Sequence, residues 1–287
     1  MTDHVSTHQI SPDRPSILVT GCSTGIGQAC ARRLRQDGYR VFATARKAQD
    51  LDRLREEGFE AHYLDYRDAD SIRATFDAVM AATGGRLDAL FNNGAHAQPG
   101  AVEDLPVEAL REQFEANFFG WHELTRLVVP VMRAQGHGRI VHCSSILGLL
   151  PAPLRGAYVA SKYALEGLML TQRMELEGSG IAVALIEPGP VPSMMAANAL
   201  AFVRKYVDVE ASVHARAYEK RLAELEGGGT ADDGGRAAGW VYRALRHALT
   251  AAKPRPHYVV TPQARLGVLA GWLLPAGLFY RLVARST

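Results

Sequence analysis

A tyrosine and a lysine four residues apart, Tyr158-Val-Ala-Ser-Lys162, are the side chains in this sequence best suited to moving a proton. On a helix, the side chains at i and i+4 share one face, with Cβ atoms about 5–6 Å apart. A free phenol has a pKa near 10 and is a poor base at neutral pH, whereas a neighbouring ammonium stabilises phenolate. Lys162 is therefore expected to draw Tyr158 down towards working pH, as general acid–base chemistry requires. A Tyr–Lys pair alone is weak evidence, because a surface pair at helical spacing reads the same way. The surroundings carry the weight. Ser144-Ser145 stands at a strand end, with Ser145 thirteen residues before Tyr158, and Asn117 lies on an earlier helix.

Thr20-Gly21-Cys22-Ser23-Thr24-Gly25-Ile26-Gly27 follows the apolar run Ser16 to Thr20 and opens a helix-like segment. Glycines there let the backbone turn sharply and approach a pyrophosphate, whose charge meets the exposed N–H groups of the helix start. The pattern predicts a dinucleotide site, with an ordinary tight strand-to-helix turn as the alternative. The second strand ends at Thr44-Ala45-Arg46. Ala45 stands where a site for NAD carries a carboxylate for the ribose 2′-hydroxyl, and Arg46 offers a guanidinium suited to a 2′-phosphate. NADP(H) is thus favoured over NAD(H), the alternative being that Arg46 is a solvated loop charge.

Such groups need a scaffold that gathers strand ends. Short apolar runs begin at Ser16, Tyr39, Glu60, Leu87, Gly138 and Ile181, separated by helix-like segments, among them Arg111 to Arg133 and Tyr158 to Glu177. This alternation predicts an α/β fold, a Rossmann-like doubly wound parallel sheet with helices on both faces. Residues 1–14 read as a frayed polar tail without the apolar stretch of a signal peptide, with His4 and His8 solvated. Residues 15–287 read as a single domain. Within it, Met194 to Leu225 looks helical and 194–232 forms a cap over the substrate, interrupted by Gly227-Gly-Gly229. Tyr258 to Thr261 suggests a last short strand, and 264–287 is an apolar and basic C-terminal tail. Hydrophobic content of 47%, charged content of 22% and a net charge of +2 describe a globular chain with no pull towards nucleic acid. The three cysteines, Cys22, Cys30 and Cys143, have neither metal-ligand nor disulfide-framework spacing. A reducing cytoplasm and no bound metal are expected.

Thr20–Gly27, Asn92-Asn93-Gly94-Ala95, Asn117, Ser145, Tyr158–Lys162 and Pro188-Gly189 occur in that order. The set resembles the short-chain dehydrogenase/reductase family in its single-domain branch, over roughly residues 16 to 193, and is similar to the family's steroid- and retinol-type members. The resemblance implies an NADP(H)-dependent oxidoreductase that interconverts a ketone or aldehyde and its alcohol. In it Tyr158 would exchange a proton with the substrate oxygen, and Ser145 would position that oxygen. Lys162 would bind the nicotinamide ribose, and Asn117 would hold a water linking Lys162 to solvent. The cofactor is expected on Gly21, Ser23, Thr24, Gly25, Ile26, Gly27, Arg46, Asn92, Gly94, Tyr158, Lys162, Pro188 and Gly189. Asp65 and Tyr66 would meet the adenine, and Val191 and Ser193 the carboxamide. Gly94-Ala95 reverses the family's usual Ala-Gly order. The resemblance also implies a homodimer or homotetramer. A non-catalytic NADP(H)-binding sensor or scaffold of the same fold is the rival reading, against which Ser145, Tyr158, Lys162 and Asn117 stand together.

Ile146, Leu147, Leu149, Leu150, Pro151, Leu154, Met194, Met195, Leu200 and Phe202 either line a site for a lipophilic carbonyl or alcohol or pack the cap onto the core. His122, His137 and His142 do not cluster in sequence and read as packed or surface residues, and Glu187 at a strand end could touch the site. From Gly234 onward the chain has no acidic residue. Leu266 to Tyr280 is uncharged, contains Pro275 and lies between Arg265 and Arg281. It is too short to span a bilayer, which needs about 20 apolar residues. It is expected to cover its own or a partner subunit's substrate mouth, or to make peripheral contact with an anionic membrane.

Overall fold

The computed structural model describes residues 14–191, 194–227 and 235–285. Residues 1–13 of the tail expected at 1–14, and the expected carboxamide contact at Ser193, lie outside them. The first apolar run forms β1 (Ser16–Val19), buried at every position, as a central strand covered on both faces must be. It pairs in parallel with β2 (Arg40–Ala45) on one side and β4 (Ala89–Asn92) on the other. With β3 (Glu60–Tyr63), β5 (Gly138–Cys143), β6 (Ile181–Glu187) and β7 (His257–Val259), they make a parallel sheet in the order β3-β2-β1-β4-β5-β6-β7. Strand order reverses between β1 and β4, and the crevice outside the carboxyl ends of these strands is where such sheets bind ligands.

The connecting helices are α1 (Gly25–Gln36), α2 (Ala48–Glu56), α3 (Ala69–Thr83), α4 (Val107–Phe114), α5 (Gly120–Gln135) and α6 (Gly156–Glu175). Contact of α1 with α9 (Arg236–Thr250), and of α3 with α5, layers helices over the sheet. Local chemistry sets their ends. Asp68 caps α3 by accepting hydrogen bonds from the backbone N–H groups of Asp70 and Ser71, and Gly84 and Gly136 end α3 and α5 in the left-handed conformation. The helix expected around Arg111 to Arg133 is found, running unbroken from Val107 to Gln135 with one change of winding. A π-helical turn, Glu115–Phe119, joins α4 to α5 and places Asn117 on the widened turn.

The expected single helical run from Met194 to Leu225 is two helices, α7 (Met195–Tyr206) and α8 (Ala215–Gly227). The chain turns between them where Asp208 Oδ1 accepts from the Ala211 N–H at 3.2 Å. Ala101, Val203, Val207 and Tyr218 form a small second core joining these helices to the segment after β4. Polar anchors fix the join. The Tyr218 hydroxyl accepts from the buried Ala101 N–H at 2.7 Å and donates to Asp104 at 2.8 Å. Lys205 and the Tyr206 hydroxyl both donate to Glu112, at 2.7 and 2.6 Å.

The C-terminal stretch is α10 (Pro262–Leu273) and α11 (Ala276–Arg285), separated at Leu274-Pro275. Leu266, Leu269, Leu273 and Trp272 project into solvent, Trp272 being 88% exposed. No helix among the described residues is long and apolar enough to cross a membrane.

Replacing Tyr218 with Phe removes the only partner shown for the Ala101 N–H. The expected cost is about 1–3 kcal/mol of local stability. Hydrogen exchange should accelerate in α7 and α8 while the β1, β4 and β5 amides stay protected; uniform acceleration would contradict this anchoring role.

Candidate active site

Two adjoining spaces open at the carboxyl ends of the central strands. A groove of about 140 Å³ is lined by Gly21, Ser23, Thr24, Ile26, Ala45, Arg46, Asp65, Tyr66 and Gly94 among others. A deeper cavity of about 440 Å³ holds Ser144, Ser145, Tyr158, Lys162, Pro188, Gly189 and Val191. Ile26, Asn93, Ala95 and Met195 line both, so the two run into one crevice.

The groove is shaped by close backbone approach. Gly21 has φ +67°, and a Cβ there would fall 2.5 Å from the Gly94 Cα. A Cβ on Gly94 itself would meet Gly21 at 3.3 Å, tight but not a clash, so the requirement for glycine at this contact falls on Gly21. Gly25 and Gly27 stand behind the turn instead of lining it. A Cβ on Gly27 would come within 2.2 Å of the Gly21 carbonyl oxygen. A turn whose glycines let the backbone pack this closely, at a helix start, fits a dinucleotide's pyrophosphate.

Two expected contacts are placed differently. Asn92 is fully buried and lines neither space. Its amide nitrogen meets Thr125 Oγ1 at 3.1 Å and His142 Nδ1 at 3.2 Å, and its oxygen meets the Tyr66 hydroxyl at 2.5 Å. Strand alternation turns Asn92 inward and its neighbour outward. Asn93 faces the crevice, bracing the turn through hydrogen bonds to the carbonyls of Thr20 and Gly21 at 3.1 and 3.3 Å. Tyr66 does line the groove, but its hydroxyl is committed to the network of Thr20 and Asn92. Asp65 is gripped by Arg67 at 2.7 and 3.1 Å; burial works to raise its pKa, and Arg67 outweighs it and holds the carboxyl low. Arg46 is half-exposed, 3.9 Å from Asp65.

Asn117 also departs from expectation. Its oxygen accepts from the His96 N–H at 3.1 Å and its nitrogen donates to the His96 carbonyl at 2.9 Å. With both ends of the amide spent on that backbone, the side chain anchors the segment after β4 and lines neither space. Its nitrogen also lies 3.5 Å from the Ser161 hydroxyl, on α6 next to Lys162.

Tyr158 and Lys162 occupy the start of α6, on the face turned to β5, and both are buried. The Lys162 ammonium donates to the Cys143 carbonyl at 3.0 Å and sits 4.1 Å above the centre of the Trp121 ring. Trp121 is held in turn by its indole N–H on the Gly94 carbonyl at 2.9 Å. Burial lowers the Lys162 pKa to about 8. Ser145 caps the turn after β5, accepting from the Leu147 N–H at 3.1 Å, and shares the cavity wall with Tyr158. The expected depression of the Tyr158 pKa by Lys162 is not found: burial dominates and raises it well above 10, opposed by Ser145 and Arg155. The reason is geometric. Lys162 is aimed at a carbonyl and an indole, 5.7 Å from the centre of the Tyr158 ring.

Behind this pair lies a cluster that the sequence reading did not assemble. Glu166, one turn beyond Lys162, is buried beside Glu187 and His257, their ligand-type atoms all within 4.8 Å of one another. Glu187 does not reach the cavity; it accepts from the Tyr258 N–H at 2.8 Å and pairs with His257 at 2.7 Å. Among the ten apolar candidates, Ile146, Leu147 and Met195 line the cavity. Phe202 stacks on His96 at 4.2 Å instead, and Leu150 abuts Gly267 and Gly271 of α10. The sequence reading also missed Arg155, Arg221 and Glu224 in the cavity wall. No residue of α10 or α11 lines the cavity, so the C-terminal stretch does not cover its own substrate mouth.

A nucleotide groove running into a cavity with Ser, Tyr and Lys at the switch point of a parallel sheet defines a class of dinucleotide-dependent oxidoreductases. The sequence profile described as short chain dehydrogenase matches residues 15–203, and the chain belongs to the short-chain dehydrogenase/reductase family of NAD(P)-dependent enzymes. It is 43% identical over 183 residues to the Escherichia coli K12 oxidoreductase YbbO, covering 64% of this chain and 68% of that one. It is 29% identical over 266 residues to the NADPH-dependent 3-dehydrocapnine reductase of Ornithobacterium rhinotracheale, covering 90% and 92%. The crystal structure of a Streptomyces avermitilis short-chain dehydrogenase superposes with a TM-score of 0.72 at 29% identity, covering 90% of this chain and 93% of that one.

Burial raises the Glu166 pKa from 4.5 to about 7, with Glu187 the next cause. The folded protein then binds this proton more tightly than the unfolded chain, so stability falls as pH rises from about 4.5 through 7. Glu166→Gln removes that penalty. Its melting temperature relative to wild type should rise between pH 5 and pH 8, and parallel melting curves across this range would contradict a raised Glu166.

Proposed function

We propose that the chain reduces a carbonyl compound to its alcohol with NADPH, using Tyr158 as the proton donor. The supporting observation is that the buried Tyr158 and Ser145 line one cavity continuous with the nucleotide groove. The nicotinamide, when bound, supplies or accepts the hydride. Ser145 donates to the substrate oxygen and fixes its position beside Tyr158, and Tyr158 delivers its phenolic proton as negative charge grows on that oxygen. Burial keeps the phenol in its protonated form, the form that carbonyl reduction consumes. Lys162, 5.7 Å from the Tyr158 ring, carries positive charge at the back of the site and would bind the ribose.

The preference for NADPH rests on Arg46 in the groove and on Ala45 where a carboxylate would repel a 2′-phosphate. The NADPH dependence of the Ornithobacterium reductase supports the same choice. The family's habit of pairing subunits suggests a homo-oligomer.

Tyr158→Phe should lower kcat by about 10²–10⁴ while leaving NADPH affinity within a few-fold, read by turnover of a ketone and aldehyde panel and by quenching of protein fluorescence. Retained turnover would overturn the assignment. A wild type that binds NADPH tightly yet turns over no carbonyl would favour the sensor reading. Arg46→Ala should weaken NADPH binding by about ten- to a hundredfold, the worth of charge-assisted hydrogen bonds, and leave NADH unchanged. Equal loss for both cofactors would remove the Arg46 role.

A further inference from the structure

The cavity wall is apolar over most of its area, with Ala97, Pro99, Ile146, Leu147 and Val191 contributing, but two guanidinium groups, Arg155 and Arg221, face the same space. Among the described residues, one carboxylate in that wall answers them: Glu224, which pairs with Arg221 at 2.9 Å. Arg155 makes no side-chain hydrogen bond or ion pair within the described residues, and the Nε atoms of Arg155 and Arg221 are both buried without a partner. Both arginines are only partly exposed, and a guanidinium left partly desolvated and unpaired carries a cost that an anion meeting it recovers.

The backbone also holds Arg155 in place. Leu154, immediately before it, is the one non-glycine residue with a positive φ among the described residues, at 56°. Its carbonyl is pinned by the Gly100 N–H at 2.9 Å, and Arg155 bridges to Gly100. Strain of this kind persists where the surroundings over-determine it, often at ligand clamps. It sets Arg155 at the N-cap of α6, three residues before Tyr158.

We infer that Arg155, assisted by Arg221, receives an oxyanion of the substrate, so that the molecule reduced here is an amphipathic carbonyl compound: an apolar chain bearing a carboxylate or sulfonate. This rests on reading the cavity as the carbonyl-reduction site, and it narrows the lipophilic substrate expected from the apolar wall alone. A planar guanidinium binds either oxyanion through paired N–H donors. Burial and the neighbouring Arg221 both press on the Arg155 charge, and an incoming anion relieves the second of these.

Calorimetric titration of the full chain in saturating NADPH, with decanoate, decane-1-sulfonate and 1-decanol, separates charge from chain length without requiring turnover. Wild type should bind one or both anions at least tenfold more tightly than 1-decanol, and the better of the two identifies the oxyanion. Arg155→Gln should bring that anion to the level of 1-decanol and leave 1-decanol unchanged. Glu224→Gln, which releases Arg221, should tighten the anion several-fold, a gain that a merely structural role would not give. Anions no tighter than the alcohol in wild type would overturn the inference, and this contrast needs no variant to fold. Equal losses for anion and alcohol in Arg155→Gln would also overturn it, placing Arg155 in the fold or beside Tyr158. Carbonyl turnover that depends on Tyr158 but is indifferent to substrate charge would leave the reductase reading standing and refute this one alone.

Discussion

Burying the ammonium of Lys162 is the constraint around which the crevice is arranged. An ammonium taken out of water without partners costs several kcal/mol, so the fold must supply electron-rich groups at the point of burial. The Cys143 carbonyl at the end of β5 and the face of Trp121 on α5 supply them. Trp121 is in turn tied to the Gly94 carbonyl, and Gly94 rests against Gly21 in the nucleotide turn. One chain of contacts therefore links the proton site to the cofactor cradle. Its members sit at the ends of β1, β4 and β5 and on the helices that pack there. Loosening any of them would move both halves of the site together.

Charge is distributed unevenly about this centre. Behind Lys162, Glu166 and Glu187 are too close and too dry for both to ionise comfortably, and His257 is drawn towards its charged form by Glu187. In front, the cavity wall carries Arg155 and Arg221 against Glu224. Tyr158 lies between, its phenol kept neutral by burial more than tuned by any single cation. In the outer layer, burial would raise the Glu112 pKa, but Lys205, Tyr206 and Arg67 outweigh it and hold the carboxyl down to about 2. That residue thereby clamps the α7 end of the cap to α4 with a permanent charge.

The parts legible from sequence are those governed by short-range rules. Apolar runs of strand length, each followed by a helical period, were enough to give the parallel sheet. The glycine spacing after β1 marks the turn because the backbone contact between Gly21 and Gly94 admits no Cβ on Gly21. Relations that depend on how distant segments converge are not readable in this way. Asn92 and Asn93 are told apart only by which face of β4's end each takes. The π turn that redirects Asn117 leaves no signature in hydrophobic period. Arg155 and Arg221 are 66 positions apart in sequence and meet only because α8 folds back over the cavity. Glu166, Glu187 and His257 likewise come from three elements. Lys162 was given the right helix face, but its aim at Cys143 and Trp121 depends on β5 and α5.

The most direct test of this arrangement is the titration of Tyr158 itself. Protein labelled with ¹³C at tyrosine Cζ, with the Tyr158 resonance assigned by its loss in Tyr158→Phe, reports phenol ionisation by chemical shift. The resonance should hold the neutral-phenol position through pH 10, while exposed tyrosines move. A Tyr158 resonance that titrates near or below pH 8 would show a phenolate tuned by Lys162, and would contradict a phenol kept protonated by burial.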